Sequence, residues 1–194
     1  MFYEFERILP LLMQPDADQL LKDEIENNQI IQVNSHTARS RFIFEFKKRF
    51  DSVPYSFWEG WRNWSEDSKR AGLFYAILKT YKLVFDFHFN VTIRHWNSID
   101  HTLLKSDLMM ELNEIAARDE FVSGWSDSTK NRSISQYLTF LRQVGLLTEE
   151  TNELQTFHPA DSELAYYFVS GETWFLEALL LLPYEINAIK EKLS

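Results

Sequence analysis

This sequence predicts a mostly helical globule, and three observations carry the prediction. Of 194 residues only 5 are Gly and 5 are Pro, too few for the tight turns of an all-β fold. Apolar side chains recur at three- and four-residue intervals in most segments, as the buried stripe of an α-helix requires. Hydrophobic residues make up 45% of the chain and aromatics 15%, enough for the core of one domain or two small ones. With no Cys, a disulfide framework, a thiol nucleophile and thiolate-bound metal centres are all excluded.

Each element has its own signal. Asp16 to Glu26 follows Pro15 and places Leu20, Leu21 and Ile25 on one side, with Asn27-Asn28 as a stop. Asn34 or Ser35 can cap a helix running to Phe50, whose stripe is Phe42, Phe46 and Phe50 beside Ile43. Ser56 to Trp64 carries Phe57, Trp58, Trp61 and Trp64 at helical spacing. From Leu73 to Val84 a buried helix is expected. From Phe85 to Ile93 the alternation of Phe85, Phe87, Phe89, Val91 and Ile93 with Asp86, His88, Asn90 and Thr92 predicts a strand. Ser106 to Arg118 reads as a helix. After a connection ending near Asp127 comes another, to Val144, with Ile134, Leu138 and Leu141 buried and Gly145 as its C-terminal stop. Leu146 to Phe157 reads as a short hairpin, and Ser162–Val169, Glu172–Leu182 and Tyr184–Leu193 as three closing helices.

The net charge of −9 argues against a uniformly basic nucleic-acid binder, but the charge comes in blocks. Residues 35–50 hold Arg39, Arg41, Lys47, Lys48 and Arg49 against Glu45, and residues 128–145 hold Lys130, Arg132 and Arg142 with no acid. The last 49 residues are strongly acidic. A local basic face can bind phosphate on an anionic molecule, because salt confines its field to about 8–10 Å. The first residues lack a basic segment followed by an apolar run, and no stretch reaches the ~18 uncharged apolar residues of a membrane span. A soluble, cytoplasmic protein is expected.

Residues 107–157 have the layout of a winged helix-turn-helix: helix, connection, basic helix, Gly, hairpin. The basic helix presents Thr129, Lys130, Arg132, Ser133 and Gln136 in its N-terminal half. Arg and Lys reach guanine or phosphate, Gln pairs adenine, and hydroxyls bond either. Against this stand the long connection Asp119–Asp127 and Glu149, Glu150 and Glu153 in the wing. A solvated helix face is the alternative. Residues 16–50 form a second such unit, whose charges Glu45 could neutralise by pairing Arg41 or Arg49. His88, His95 and His101, with Asp86 and Asp100, fit no metal-ligand spacing. No P-loop, GxGxxG, GxSxG or HExxH is present, so neither an enzyme nor a cofactor is expected. Aromatic-rich segments could stack bases as single-strand binders do, although at helical spacing they suit a core.

Three segments in order resemble the BrxA family, small proteins of BREX (bacteriophage exclusion) defence systems. The first is Asn28-Gln29-Ile30-Ile31 followed by Ser35 to Arg41, Glu45 and Arg49-Phe50. The second runs from Leu73-Phe74-Tyr75-Ala76-Ile77 through Tyr81 to Asp86-Phe87. The third runs from Ser128-Thr129-Lys130-Asn131-Arg132 to Leu141-Arg142-Gln143-Val144-Gly145-Leu146-Leu147. The resemblance implies an all-α compact globule with two helix-turn-helix-like units, the second with a short hairpin wing, which overrides the strand at Phe85–Ile93. It implies work in phage defence beside a DNA methyltransferase and ATPase-type partners, and binding of double-stranded DNA. The family is also described as similar to an RNA-binding antitermination factor, which keeps RNA as an alternative. An adaptor that only holds other defence proteins is the rival reading.

On these grounds a monomer is expected, with an N-terminal helical subdomain (1–70) and a C-terminal one (71–194) that can pack as one globule. The candidate nucleic-acid contacts are Arg39, Arg41, Lys47, Lys48, Lys130, Arg132, Ser133 and Gln136. Arg39, Arg41, Lys130 and Arg132 are expected on exposed surface.

Overall fold

A computed structural model describes residues 2–193. The chain opens with α1 (Phe2–Leu12), α2 (Ala17–Asn27), α3 (His36–Asp51), α4 (Tyr55–Trp61) and α5 (Glu66–Thr80). A nearly continuous helical rod follows: α6 (Lys82–Asp86), a π-helical segment (Phe87–Thr92) and α7 (Ile93–Trp96). Then come α8 (Lys105–Arg118), α9 (Glu120–Ser123), α10 (Asp127–Val144), α11 (Asp161–Val169), α12 (Trp174–Ala178) and α13 (Pro183–Leu193). The fold is all-α.

Helix α5 is the axis of the packing. Residues Leu73 to Leu78 are buried on every side of it, and it packs on α3, α4 and α10. Aromatic rings fill the space around it. Phe57 lies edge-on to Trp58, Trp64 and Tyr166, and Tyr75 packs on Tyr167 and Phe175. One buried cluster runs from Phe2 to Ile189, and the position between residues 70 and 71 falls inside α5.

Gly72 lets α4 approach α5. A Cβ there would stand 2.6 Å from Trp61 Cδ1 and 3.1 Å from Phe57 Cζ. Trp61 cannot swing aside, because it is buried and its indole Nε1 donates to the Lys69 carbonyl at 2.8 Å. In an open helix Gly→Ala gains about 1 kcal/mol. Here Gly72→Ala will instead lower stability by about 1–3 kcal/mol, the usual cost of overpacking, read as a fall in the urea midpoint.

Four sequence expectations are corrected. The sequence marks no element before Asp16, yet α1 is there, burying Phe2, Phe5, Ile8, Leu9 and Leu12. The expected strand at Phe85–Ile93 is helical: its alternating polar residues do not share one outer face, for only Asn90 is exposed. His88 and Thr92 are buried and bonded to Tyr137, Asn90 donates to Glu111, and Asp86 takes Lys82. Phe85 and Phe89, four residues apart, stack at 4.3 Å. The helix expected over Glu172–Leu182 stops at Ala178, and Leu180 takes a left-handed conformation (φ 61°). The hairpin at Leu146–Phe157 is reduced to isolated antiparallel bridges, Leu147 with Leu154 and Thr102 with Glu153.

Candidate nucleic-acid interface

Helix α10 is built as its sequence asks. Ser126 caps its N-terminus, its hydroxyl accepting the Thr129 amide at 3.2 Å. Ile134, Tyr137, Leu138, Leu141 and Val144 are buried, and Gly145 (φ 89°) ends the helix. Both α5 and α8 pack against it. The chain then returns through Leu146–Thr148 and Asn152–Gln155. In that return Leu103 donates to Asn152, Leu154 to His101 and Gln155 to Leu146. These contacts tie the residues that follow α10 to those that precede α8. Arg142 fastens the turn to α10, donating to Asn152 and lying 3.5 Å from Glu149.

The outward row of α10 is Thr129, Arg132, Gln136, Thr139 and Gln143, all exposed and none acidic. Arg132 and Gln136 are four residues apart, so they stand on one face. Among the described residues no acid pairs with Arg132 or Lys130. Lys130, however, is half-buried. It stands two positions before Arg132, roughly 200° around the axis, so it lies on the side of Ile134 and Tyr137. Ser133 is half-buried too, its hydroxyl donating to the Thr129 carbonyl at 3.0 Å. Asp127 occupies the first turn and already answers the helix dipole.

Helix α3 treats its basic residues differently. Arg39 is only 7% exposed, against the expectation of a surface contact. Its Nε donates to the Ile25 carbonyl at 2.7 Å, and its Nη1 to Val33 at 2.8 Å and Asn34 at 3.1 Å. It holds the α2–α3 connection shut. From the other end Glu24, also buried, accepts the amides of Gln29, Ile30 and Ile31. Lys47 is drawn to Asp18 (3.3 Å) and Asp51 (3.8 Å), and Lys48 stands 4.0 Å from Glu45. Arg41 alone of the four is exposed with no acid partner among the described residues. Glu45 pairs neither Arg41 nor Arg49 but accepts the Tyr81 hydroxyl. Burial and that carboxylate push the Tyr81 phenol up to about 12, although Arg49 works the other way. Arg49 is buried between the Phe46 and Tyr81 rings, 5.7 Å from each.

The histidines do not converge. His88 faces the core, His95 lies 3.5 Å from Asp107, and His101 packs on Trp96. Among the described residues no group of three His, Asp or Glu could hold a metal ion. No described helix is long and apolar enough to cross a membrane.

The BrxA family model matches residues 1–166. The chain belongs to the BrxA family. It is thereby a component of a BREX phage-defence system. The crystal structure of an uncharacterized protein from Magnetospirillum magneticum is similar to this BrxA-family chain, with a TM-score of 0.78 at 20% identity over 92% of each chain. At that identity the likeness shows the fold. A comparison with curated proteins returned no match. The C-terminal residues after 166, outside the family match, still supply Phe175, Leu176 and Leu179 to the core of this BrxA member.

Proposed function

We propose that this BrxA-family protein is a non-enzymatic double-stranded DNA-binding component of its defence system, working as a monomer with α10 in the major groove. The acid-free outward row of α10 carries the reading. In a chain of net charge −9, an exposed helix face offering one arginine, two amides and two hydroxyls matches the donors and acceptors of base edges and phosphates. Arg132 and Gln136 lie at the centre of the contact. Lys130, on the other side of the first turn, reaches a flanking phosphate by its long flexible stem, and Ser133 stands beside Arg132. The wing stays outside, because Glu149 and Glu150 at its tip repel the backbone. Arg39, which is buried, and Lys47, held by Asp18 and Asp51, take no part in the duplex contact.

The test is a salt titration of binding to a random duplex, for the unmodified protein and for a Lys130→Ala/Arg132→Ala double variant. Each phosphate contact contributes about 0.9 to the slope of log K against log salt, so the double variant should bind more weakly with a slope shallower by about 2. Equal slopes would exclude α10 as a phosphate-contacting helix. An absence of binding by the unmodified protein at low salt would favour the adaptor reading. The side chains that favour that rival are Met110 (66% exposed) and Phe121 (77%) on α8 and α9.

A further inference from the structure

We propose that the outward ridge of α3 is a second nucleic-acid site, one that takes an unpaired strand, with Phe44 stacking on a base and Arg41 and Lys48 holding the adjacent phosphates. The inference stands apart from the duplex reading, since it uses a different helix and a different chemistry.

The starting point is a phenylalanine on the wrong side. Phe42, Phe46 and Phe50 of α3 pack into or against the core, as their spacing requires. Phe44, between them in sequence, is 58% exposed. Thr37, Arg41, Phe44 and Lys48 fall at i, i+4, i+7 and i+11, within about 60° of arc on a helix of 3.6 residues per turn. All four are exposed. Lys48 Nζ lies 4.7 Å from the centre of the Phe44 ring. Arg41 stands one turn before Phe44, with no acid partner among the described residues. The acids at the ridge's edges are engaged: Asp51 by Lys47, and Glu45 by Tyr81 and Lys48.

An exposed aromatic ring with a lysine ammonium over it and an arginine one turn away suits a strand whose bases are available for stacking, since the flexible lysine can leave the ring for a phosphate as a base takes its place. Every base has a π-face, and the phosphates on either side of it meet the charges. A duplex does not suit it, because its bases are already stacked on one another. An apolar protein surface does not suit it either, since the ring's neighbours on the ridge are hydroxyls and cations. DNA and RNA single strands share this chemistry, so the assay uses both.

Fluorescence anisotropy with labelled dT12 and rU12 at low salt tests the proposal, using the full chain, Phe44→Ala, Phe44→Trp and Arg132→Ala. Phe44 is exposed, so its variants should fold, and circular dichroism checks this. The proposal expects the unmodified protein to bind at least one oligomer, Phe44→Ala to weaken binding about tenfold or more, the scale of one lost base stack, and Phe44→Trp to restore it. The preferred oligomer identifies the strand. Three results would overturn it: no binding of either oligomer, binding unchanged in Phe44→Ala, or binding lost in Arg132→Ala and kept in Phe44→Ala. Failure of the duplex reading would show in the Lys130→Ala/Arg132→Ala salt slopes and leave the Phe44 result untouched.

Discussion

Replacing Arg39 with alanine will lower folding stability by about 3 kcal/mol and leave the duplex affinity of the folded protein unchanged. The guanidinium is all but sealed and donates to the carbonyls of Ile25, Val33 and Asn34. Truncation leaves those acceptors without their donor, and each unpaired buried polar group costs about 1–3 kcal/mol, reduced where water can enter. Lysine will restore less than half of the loss, because an ammonium cannot reproduce the fixed fork with which Nε and Nη1 meet carbonyls on different residues. The same connection depends on Glu24, whose carboxylate accepts three successive amides. Asn28 adds a left-handed turn (φ 51°) and a side-chain bond from the Val33 amide. Urea titration measures the stability change, and duplex binding at a fixed folded fraction measures the second half of the expectation. A fall in duplex affinity at unchanged stability would restore Arg39 as a contact residue.

That result bears on what the sequence could show. Periodicity and end signals located α10 and its buried stripe, the glycine that ends it, and the cap of α3 to Asn34 or Ser35, of which the structure uses Ser35, because each follows from local geometry. Periodicity places Arg39 on the stripe of Ile43 and Phe46 and Arg41 away from it, but it could not show that carbonyls of the preceding loop would stand there to receive a guanidinium. The segments that resemble the family turn out to hold architecture. Asn28, Ser35 and Arg39 shape one loop, and Glu45, Arg49 and Tyr81 form one partly buried cluster. The strand expectation failed for a related reason. Alternation marks an outer face only if the polar residues meet water, and at His88 and Thr92 they meet one another through Tyr137. Phe44 was visible as one aromatic among many, and its exposure could be known only once α3 was oriented.

The orientation of α10 is fixed at its middle by the same polar chain. Thr92 Oγ1 lies 2.6 Å from the Tyr137 hydroxyl, which lies 2.9 Å from His88 Nδ1, and His88 Nε2 lies 2.8 Å from the Ala178 carbonyl. The bonds are satisfied together when His88 is neutral with its proton on Nε2. Nε2–H donates to Ala178, Tyr137 donates to Nδ1, and Thr92 donates to Tyr137. The π-helical segment, α10 and the end of α12 are thus joined through one imidazole, whose partner Tyr137 is the neighbour in sequence of Gln136 in the outward row.

Acid should therefore destabilise the fold well before the carboxylates titrate. Burial is the main force on His88 and lowers its pKa from 6.5 to about 4, although its bond to the Ala178 carbonyl pulls the other way. Between those two values the unfolded chain binds a proton that the folded chain refuses, so unfolding is favoured as pH falls. The stabilisation is complete above 6.5 and disappears on the way to 4, about 3 kcal/mol in all, of which about 2 kcal/mol is gone by pH 5. Glu4, Glu66, Glu163 and Glu172 are held below their ordinary 4.5, so their contributions are lost only in stronger acid. The window from 4.5 to 6.5 belongs to the imidazole. Urea unfolding at pH 7 and pH 5 will show the difference, and His88→Gln, less stable at pH 7 because the chain of bonds is broken, will show little further loss at pH 5. Should His88→Gln keep the full acid sensitivity of the unmodified protein, the protonation that matters lies elsewhere and α10 is not seated by a neutral histidine.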